Sequence, residues 1–475
     1  MKKLSYILNG LIDGVAPDID INNICCDPKQ CLGGDLLFLT NKKSVDEYLS
    51  ILPKAAAIVS DCYIPLKTKA YITQNMRRAI AMAYARLYCN NLEKIKFIGI
   101  TGTNGKSTTA IMLEKILVDQ GYKVGLIGTG KIKIGDEILS PQYYSMTTPP
   151  PDLLYSSIGK MESMGVDVIV MEVSSHALDQ GRVCAINFHI GIFTNLSEEH
   201  LDYHKSMKSY FKSKWMLFER SEHIIANNDD EYGKIVISNF QNAESCGQCN
   251  NSSVLISDIC DCGFGGSRFT YKSNLDEVTV NINLPGIYNV YNAMMAMRAA
   301  QIMGASITDI KTSIEKINKI DGRYEIIQDK ITVVIDYAHT TCALHNLIKS
   351  LYSAKKIGQN LTIVFGCGGE RDKSKRFAMG KVCEDYADRI IITSDNPRGE
   401  NPLDIITDIT CGMIKKHEII VDRADAIKHA IISAADESIV AIIGKGPEKY
   451  TISNGSYSPF DEVEIVRNAL RSRQA

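Results

Sequence analysis

The sequence predicts an α/β protein of three domains with mostly parallel sheets, and three observations carry that expectation. The chain has 475 residues, and at roughly 100–200 residues per domain that length argues for about three units rather than one. Short apolar runs that read as buried strands alternate with helical stretches in two separate series, the pattern of sheets covered by helices. Several of those runs end in polar or glycine-rich segments, where the ligands of an open α/β sheet bind.

Hydrophobic residues make up 45% and charged residues 23% of the chain, a balance that builds substantial cores and does not favour disorder. Lys plus Arg number 53 against 55 Asp plus Glu, a formal charge of −2, so no global basic field points to nucleic acid or an anionic membrane. A negatively charged ligand must then be caught locally. No apolar run reaches bilayer length, and the opening MKKLSYILNGLIDG has no small-residue cleavage site, so the chain reads as cytoplasmic. The 14 cysteines are scattered, and positions such as Cys342, Cys367 and Cys383 suit reduced thiols better than a disulfide framework.

Residues 1–87 read as a mixed N-terminal domain with turn-rich stretches, DPKQCLGGD (27–35) and NKKSVDE (41–47), and no strong periodicity. A central domain over 88–317 opens with KFIGI (96–100) as a buried strand and TGTNGKST (101–108) as a loop. A helix follows over 110–120, with Met112, Leu113, Ile116 and Leu117 as its apolar stripe and Gly121 as its stop. KVGLIG, VDVIVMEV, INFHIGIFTN and HIIANND read as further strands of one mostly parallel sheet. The texture restarts near Asp321-Gly322-Arg323, and a C-terminal domain over 318–475 runs through ITVVIDYAH, LTIVFGCGGERD, RIIITSDNPRGE, EIIVD and SIVAIIGKGPE. Four of these five runs finish in an unusual polar or glycine-rich loop. That placement predicts a Rossmann-like, doubly wound sheet with a binding site at the carboxyl ends of its strands.

The sharpest motif runs from Gly99 to Thr108. Its glycines let backbone N–H groups crowd a polyphosphate at a helix N-terminus, Lys106 reaches the outer phosphates, and the Ser107 hydroxyl suits magnesium. The loop departs from the strict G-x(4)-G-K-[ST] spacing because Ile100 stands where the first glycine belongs. Glu172 closes a strand at the same sheet edge and is a hard oxygen ligand for Mg²⁺. By chemistry alone His200 reads as a structural or acid–base histidine and Lys214 as a solvated helix lysine. Thr147 and Thr148 equally suit an ordinary loop or an N-cap. Arg398 in DNPRGENP offers a planar grip on a carboxylate, although Asn-Pro also marks a plain strand-ending turn.

TGTNGKST resembles the nucleotide loop of the Mur ligases, ATP-dependent enzymes that add amino acids one at a time to the peptide stem of the cell-wall precursor. MEVSSHALDQGRV (171–183), TNLSEEHLDYH (194–204), NNDD (227–230), GIYNVYNAMMA (286–296), DGRYE (321–325), DYAH (336–339), GCGGERDKSKR (366–376), DNPRGENP (395–402) and GKGPEKY (444–450) follow in the family's order. Together they are most similar to the ligases for the third stem residue, which join meso-diaminopimelate or lysine to UDP-N-acetylmuramoyl-L-alanyl-D-glutamate.

The resemblance implies ATP and Mg²⁺ as cofactors. It places Gly102, Thr103, Asn104, Gly105, Lys106, Ser107, Thr108, Asn292, Arg323 and Asp336 on the nucleotide, and Ser107, Glu172, His200 and Lys214 on magnesium. Lys214 is then an N6-carboxylysine, a CO₂-derived carbamate that turns a cation into a carboxylate and needs a depressed amine pKa. Lys106, Glu172, His200 and Lys214 form the implied catalytic set. Thr147, Thr148, Ser174, Gln180 and Arg182 would hold the muramoyl dipeptide, whose carboxylates and amides suit hydroxyl, amide and guanidinium groups. Arg371, Asp395, Asn396, Arg398, Gly444 and Glu448 would hold the amino acid, and the DNPR run implies diaminopimelate, because Arg398 meets a distal carboxylate that lysine lacks. His339 matches a motif histidine whose role stays open.

The chain departs from the family pattern at Glu199 for Asp, Thr341-Cys342 for Pro-Asp, Asn401 for Asp and Pro447 for His, and DPK with GGDLLF stand where the family has a DSR and PGDLF block. The implied reaction is amide formation through an acyl phosphate in peptidoglycan precursor synthesis, by a monomer without nucleic-acid or membrane partners. The alternatives are a lysine-adding or folylpolyglutamate-type ligase, or a non-catalytic nucleotide-gated scaffold. Separately, Cys246-x2-Cys249 and Cys260-x-Cys262 have the look of zinc pairs, but the short second spacing in a Ser/Asn/Gly-rich connection argues against a knot.

Overall fold

The computed structural model describes residues 1–39, 55–63, 70–142, 144–274 and 276–474. The first main sheet is parallel throughout, in the order Ile24–Cys25, Leu36–Leu39, Ala57–Ser60 and Ala70–Ile72. Leu36, Leu37, Phe38 and Leu39 are all buried, as a strand covered on both faces requires. The DPK stretch does turn: the Asp27 side chain accepts from the Lys29 N–H and opens a 3-10 turn at Pro28–Gln30. The expected turn at 41–47 lies outside the described residues. Helix Met76–Tyr88 then packs on helix Pro151–Ser163. One apolar core joins Ile7, Leu36, Ala79 and Tyr84 to Leu154, Tyr155 and Ile158, so the N-terminal sheet is anchored on the next one.

The central sheet has eleven strands. Its parallel middle runs Val124–Gly128, Val168–Glu172, Lys96–Thr101, Phe188–Phe193, Ser221–Asn227, Ala243–Gly247, Val254–Asp261. Antiparallel pairs extend both edges: Lys131–Ile134 with Glu137–Ile138, and Ser267–Lys272 with Glu277–Ile282. Helix Lys106–Asp119 buries Met112, Leu113, Ile116 and Leu117 in the core that it shares with helix Ile287–Ile302. Each such side chain contributes about 1.5–3 kcal/mol by leaving water. Burial, not the weak helix propensity of Thr108 and Thr109, holds this helix.

The segment read as a Ser/Asn/Gly-rich connection is corrected: it carries the strands Ala243–Gly247 and Val254–Asp261. Packing of the alternate residues Val254 and Ile256 into the core outweighs the turn-forming composition. Cys246 is buried in that core while Cys249, Cys260 and Cys262 are exposed, and among the described residues the four form no common metal-sized cluster. All 14 cysteines are free. Among the described residues no helix is long and apolar enough to cross a membrane.

The third main sheet runs Glu325–Gln328, Thr332–Asp336, Ile439–Ile443, Leu361–Phe365, Arg389–Ile392, Glu418–Ile419, parallel except for the first. Helices Thr341–Ala354, Ser374–Tyr386 and Pro402–Thr410 cover one face, and Arg423–Ile432 and Glu462–Gln474 the other, which makes it doubly wound. The chain leaves Asp336, skips one strand position to form Leu361–Phe365, and fills the gap last with Ile439–Ile443. The four signature loops therefore emerge side by side at this switch point. A hairpin of Tyr450–Ser453 and Ser456–Pro459, not anticipated from the sequence, follows them.

Candidate functional site

The nucleotide-type loop sits between the strand Lys96–Thr101 and its helix, with Gly105 as the cap at φ +88. Only glycine fits at Gly102, where an added Cβ would come within 1.9 Å of Thr194 Oγ1. Thr194 and Asn195 brace the loop, donating to the Asn104 carbonyl at 2.6 and 3.1 Å. The Lys106 ammonium turns back onto the carbonyls of Gly102 (3.0 Å) and Thr103 (2.8 Å). Asn292 lies against Gly105 but spends its amide on Thr109 (3.3 Å) and Asn289 (3.2 Å). Arg323 enters from the C-terminal side, stacks 4.2 Å over the Tyr337 ring and donates to Ser107 Oγ at 3.0 Å. Asp336 accepts from the N–H groups of Tyr324 and Ala338, both at 2.7 Å, and burial raises its pKa. Thr103 is buried in the loop and Thr108 in the first turn of the helix that follows.

Ser107 Oγ donates to Glu172 Oε2 at 2.9 Å, and Thr129 Oγ1 donates to the same oxygen at 3.2 Å. Two hydroxyls and a carboxylate converging on one point are hard oxygen donors that fit Mg²⁺. Lys214 is 1% exposed and donates to the Gly102 carbonyl at 2.9 Å. Burial, aided by the Lys106 charge, pushes its pKa well below the usual lysine value. The expectation of a solvated lysine from chemistry alone is thus corrected by its packing on the buried face of helix Met207–Phe218. His200 takes φ +57 and lies 4.9 Å, edge-on, from His176. Burial and the neighbouring His176, Lys106 and Lys214 push its pKa down to about 2, so the imidazole is neutral. His339 is exposed and shares its Nδ1 with the Tyr337 carbonyl at 3.0 Å.

Thr147, Thr148, Ser174, Gln180 and Arg182 form one connected group beside Glu172. Thr148 Oγ1 donates to the Glu172 carbonyl at 2.9 Å and accepts from the Ser174 N–H at 2.9 Å. Arg182 donates to the Thr148 carbonyl at 2.8 Å and to Gln180 Oε1 at 3.0 and 2.6 Å. Thr147 Oγ1 shares a hydrogen bond with Thr129 Oγ1 at 3.1 Å. Ser174 also caps helix Ser175–Asp179.

The C-terminal loops interlock. The Gly369 N–H donates to the Asn396 carbonyl at 2.9 Å, and the Gly444 N–H to the Asp336 carbonyl at 2.9 Å. Asn396 Nδ2 donates to Glu448 Oε2 at 2.7 Å, and the Tyr337 hydroxyl to Glu448 Oε1 at 3.3 Å. Burial and Asp395 raise the Glu448 pKa. Arg398 adopts φ +51, held by bonds of its own N–H to the Ile452 carbonyl (3.0 Å) and of the Asn454 N–H to its carbonyl (2.7 Å). Its Nη1 rests on the Gly369 carbonyl at 2.8 Å. Arg371 is exposed at the mouth of these loops, next to the like charge of Arg398.

Further contacts tie the C-terminal and central parts together beside Arg323, among them Lys131 with Asp321 at 3.3 Å. Lys375 Nζ lies 2.8 Å from Glu199 Oε1, with side chains 14% and 7% exposed, and Thr340 Oγ1 meets Asn104 Oδ1 at 3.4 Å. Lys375, Thr129 and Tyr337 were not singled out in the sequence. Lys375 lies inside GCGGERDKSKR and Tyr337 inside DYAH, so their motifs held the signal, whereas Thr129 had none.

Two family models match the chain: the Mur ligase middle domain over residues 100–300 and the Mur ligase glutamate ligase domain over 322–446. The chain belongs to the Mur ligase family. This Mur ligase is 37% identical to the UDP-N-acetylmuramoyl-L-alanyl-D-glutamate–2,6-diaminopimelate ligase of Clostridium tetani, over 99% of its own length and 98% of the relative's. Identity to the protein of the same name from Aquifex aeolicus is 38%, over 88% and 86%. A solved structure of a ligase with that name superposes with a TM-score of 0.71 at 28% identity and full coverage of both chains. Mur ligases are ATP-dependent amide ligases that need Mg²⁺ in general, and this chain is one of them.

Proposed function

We propose that this Mur ligase is a MurE-type enzyme that joins meso-diaminopimelate to UDP-N-acetylmuramoyl-L-alanyl-D-glutamate. The observation that carries the reading is the pair of arginines, Arg398 and Arg371, beside the carboxylates Asp395 and Glu448 in one loop cluster. A carboxylate and an ammonium on one carbon, as at the far end of diaminopimelate, need that combination of charges. The curated relatives cited above carry the same activity in their names.

Oxide is a poor leaving group, so the D-glutamate γ-carboxylate first takes the γ-phosphoryl group of ATP, forming a C–O–P link and releasing ADP. The amine then attacks the acyl carbon, the C–N bond forms, phosphate departs with the C–O electrons, and the nitrogen loses a proton. The N–H groups of Gly102 to Thr108 cradle the phosphates, and Lys106 trades its carbonyl contacts for them. Asn292, Arg323 and Asp336 line the nucleotide site. Ser107, Glu172, His200 and a carbamate on Lys214 hold Mg²⁺, which when bound offsets charge on the transferring phosphoryl group. Thr147, Thr148, Ser174, Gln180 and Arg182 bind the dipeptide end of the UDP substrate. Arg371, Asp395, Asn396, Arg398, Gly444 and Glu448 seat the incoming amino acid. The contacts of Arg323, Thr340 and Lys375 bring the two halves together and exclude water. On this reading residues 1–87 bind the uridine nucleotide, 88–317 ATP and 318–475 the amino acid, in a cytoplasmic monomer.

Phosphate release with ATP, the UDP-muramoyl dipeptide and a panel of amino acids tests the proposal. Release that depends on both the dipeptide substrate and diaminopimelate supports it. Release with another amino acid alone, or none with any, contradicts it.

A further inference from the structure

Lys445 is fully buried, at 0% exposure, between Gly444 and the Glu448 turn. Its ammonium donates to Asn396 Oδ1 at 2.8 Å and lies 4.0 Å from Glu448 Oε2, with the Phe460 ring 5.6 Å away. Burying a cation this deeply costs free energy unless it is paired and hydrogen-bonded, so these few contacts are what hold Lys445 in place. Asn396 Oδ1 accepts a second bond, from the Ile452 N–H at 2.9 Å. Both lone pairs of the amide oxygen are thereby used. Flipping the amide would aim its NH₂ at an ammonium and at an N–H, two donor–donor clashes. The amide nitrogen is therefore held on the other side, where one hydrogen meets Glu448 Oε2 at 2.7 Å, and the second is left for an acceptor.

We propose that Lys445 is a positioning residue for the amino-acid site: it locks Asn396 so that the amide offers only N–H donors to the ligand. The inference rests on the reading of these loops as the diaminopimelate site and deepens it. The ligand's distal carboxylate takes the free Asn396 N–H together with Arg398, and its distal ammonium goes to the carboxylates. L-Lysine brings an ammonium but no carboxylate there, so the locked amide donor stays unpaired. Lys445 thus contributes to the choice between the two amino acids without touching either.

The test is a set of steady-state KM values for diaminopimelate, ATP and the UDP substrate in the wild type, Lys445→Met, Lys445→Gln, Asn396→Ala and the Lys445→Met/Asn396→Ala double variant. Lys445→Met is expected to raise the diaminopimelate KM by about tenfold or more, leaving the other two KM values and kcat within about threefold. Lys445→Gln keeps a donor but no charge and gives a smaller rise in the same KM alone. Because Lys445 acts through Asn396, the double variant should exceed Asn396→Ala by no more than about threefold. An unchanged diaminopimelate KM, equal changes in all three KM values, or independent multiplication in the double variant overturns the inference. Should Lys445→Met fail to fold, Lys445→Gln decides by the same split between KM values. A wild type that does not use diaminopimelate refutes the substrate reading instead, so the two failures are distinguishable.

Discussion

Lys214 Nζ donates to the Gly102 carbonyl at 2.9 Å, so a buried helix lysine and the opening glycine of the nucleotide loop are one hydrogen-bonded unit. Among the described residues no carboxylate pairs with Lys214. A buried cation so placed favours its neutral amine, the form that reacts with CO₂. Lys214→Ala is expected to lose about 10²–10³ in turnover, the scale of losing one preorganised electrostatic group. Added acetate or formate should restore part of it by taking the place of the carbamate. Wild-type rates in the variant, measured in CO₂-depleted buffer, would rule the carbamate out.

Lys106 is bonded only within its own loop, to the Gly102 and Thr103 carbonyls at 3.0 and 2.8 Å. Removing it deletes the charge that the proposed reaction places on phosphate, without opening the core. Lys106→Ala should abolish phosphoryl transfer while its melting temperature stays close to the wild type. Normal phosphate release from a folded variant would remove the nucleotide-loop reading.

Arg376, at 1% exposure, clamps the loop that carries Arg398 to helix Ser374–Tyr386, with both carboxylate oxygens of Glu400 at 3.0 Å and Asp408 at 2.9 Å. Glu400→Gln weakens that clamp, and because Asp408 remains, the loss is about 1–3 kcal/mol, below the cost of leaving a buried charge wholly unpaired. The Arg376 guanidinium holds the Glu400 carboxyl at about 2 against an ordinary 4.5. A depressed carboxyl stabilises the fold above its ordinary pKa and loses that contribution as pH falls through its folded value. The stability gap between wild type and Glu400→Gln should therefore shrink as pH drops from about 4.5 towards about 2. Denaturant melts across that window check it, and a gap that is constant or widens contradicts the assignment.

The parts of the site that the sequence announced are those written in locally diagnostic residues. Gly102 and Gly105 sit where the loop backbone demands glycine and Lys106 and Ser107 open the helix directly after it, and the four C-terminal signatures end strands that meet at a switch point. The roles suggested for His200 and Lys214 were different, because only resemblance pointed them to a metal: their burial comes from neighbours far along the chain. The Lys375–Glu199 pair joins residues 176 positions apart, beyond any periodicity. The hairpin Tyr450–Pro459 escaped notice because its second strand is exposed throughout, yet the Ile452 carbonyl and N–H hold Arg398 and Asn396. The strand Val254–Asp261 was hidden by the serines and asparagines before it.

The preference of Arg398 for a distal carboxylate is the central claim, and a competition between meso-diaminopimelate and L-lysine, with wild-type enzyme and product identified by mass, tests it most directly. Losing a buried charge-assisted pair costs about 2–5 kcal/mol, a preference of about tens-fold or more. Arg398→Ala, run alongside, should lose most of that preference through poorer use of diaminopimelate without gaining lysine, since no acidic group is added for lysine's ammonium. Predominant incorporation of diaminopimelate by the wild type is the predicted result; predominant incorporation of lysine would contradict the account, even if every nucleotide-site prediction held.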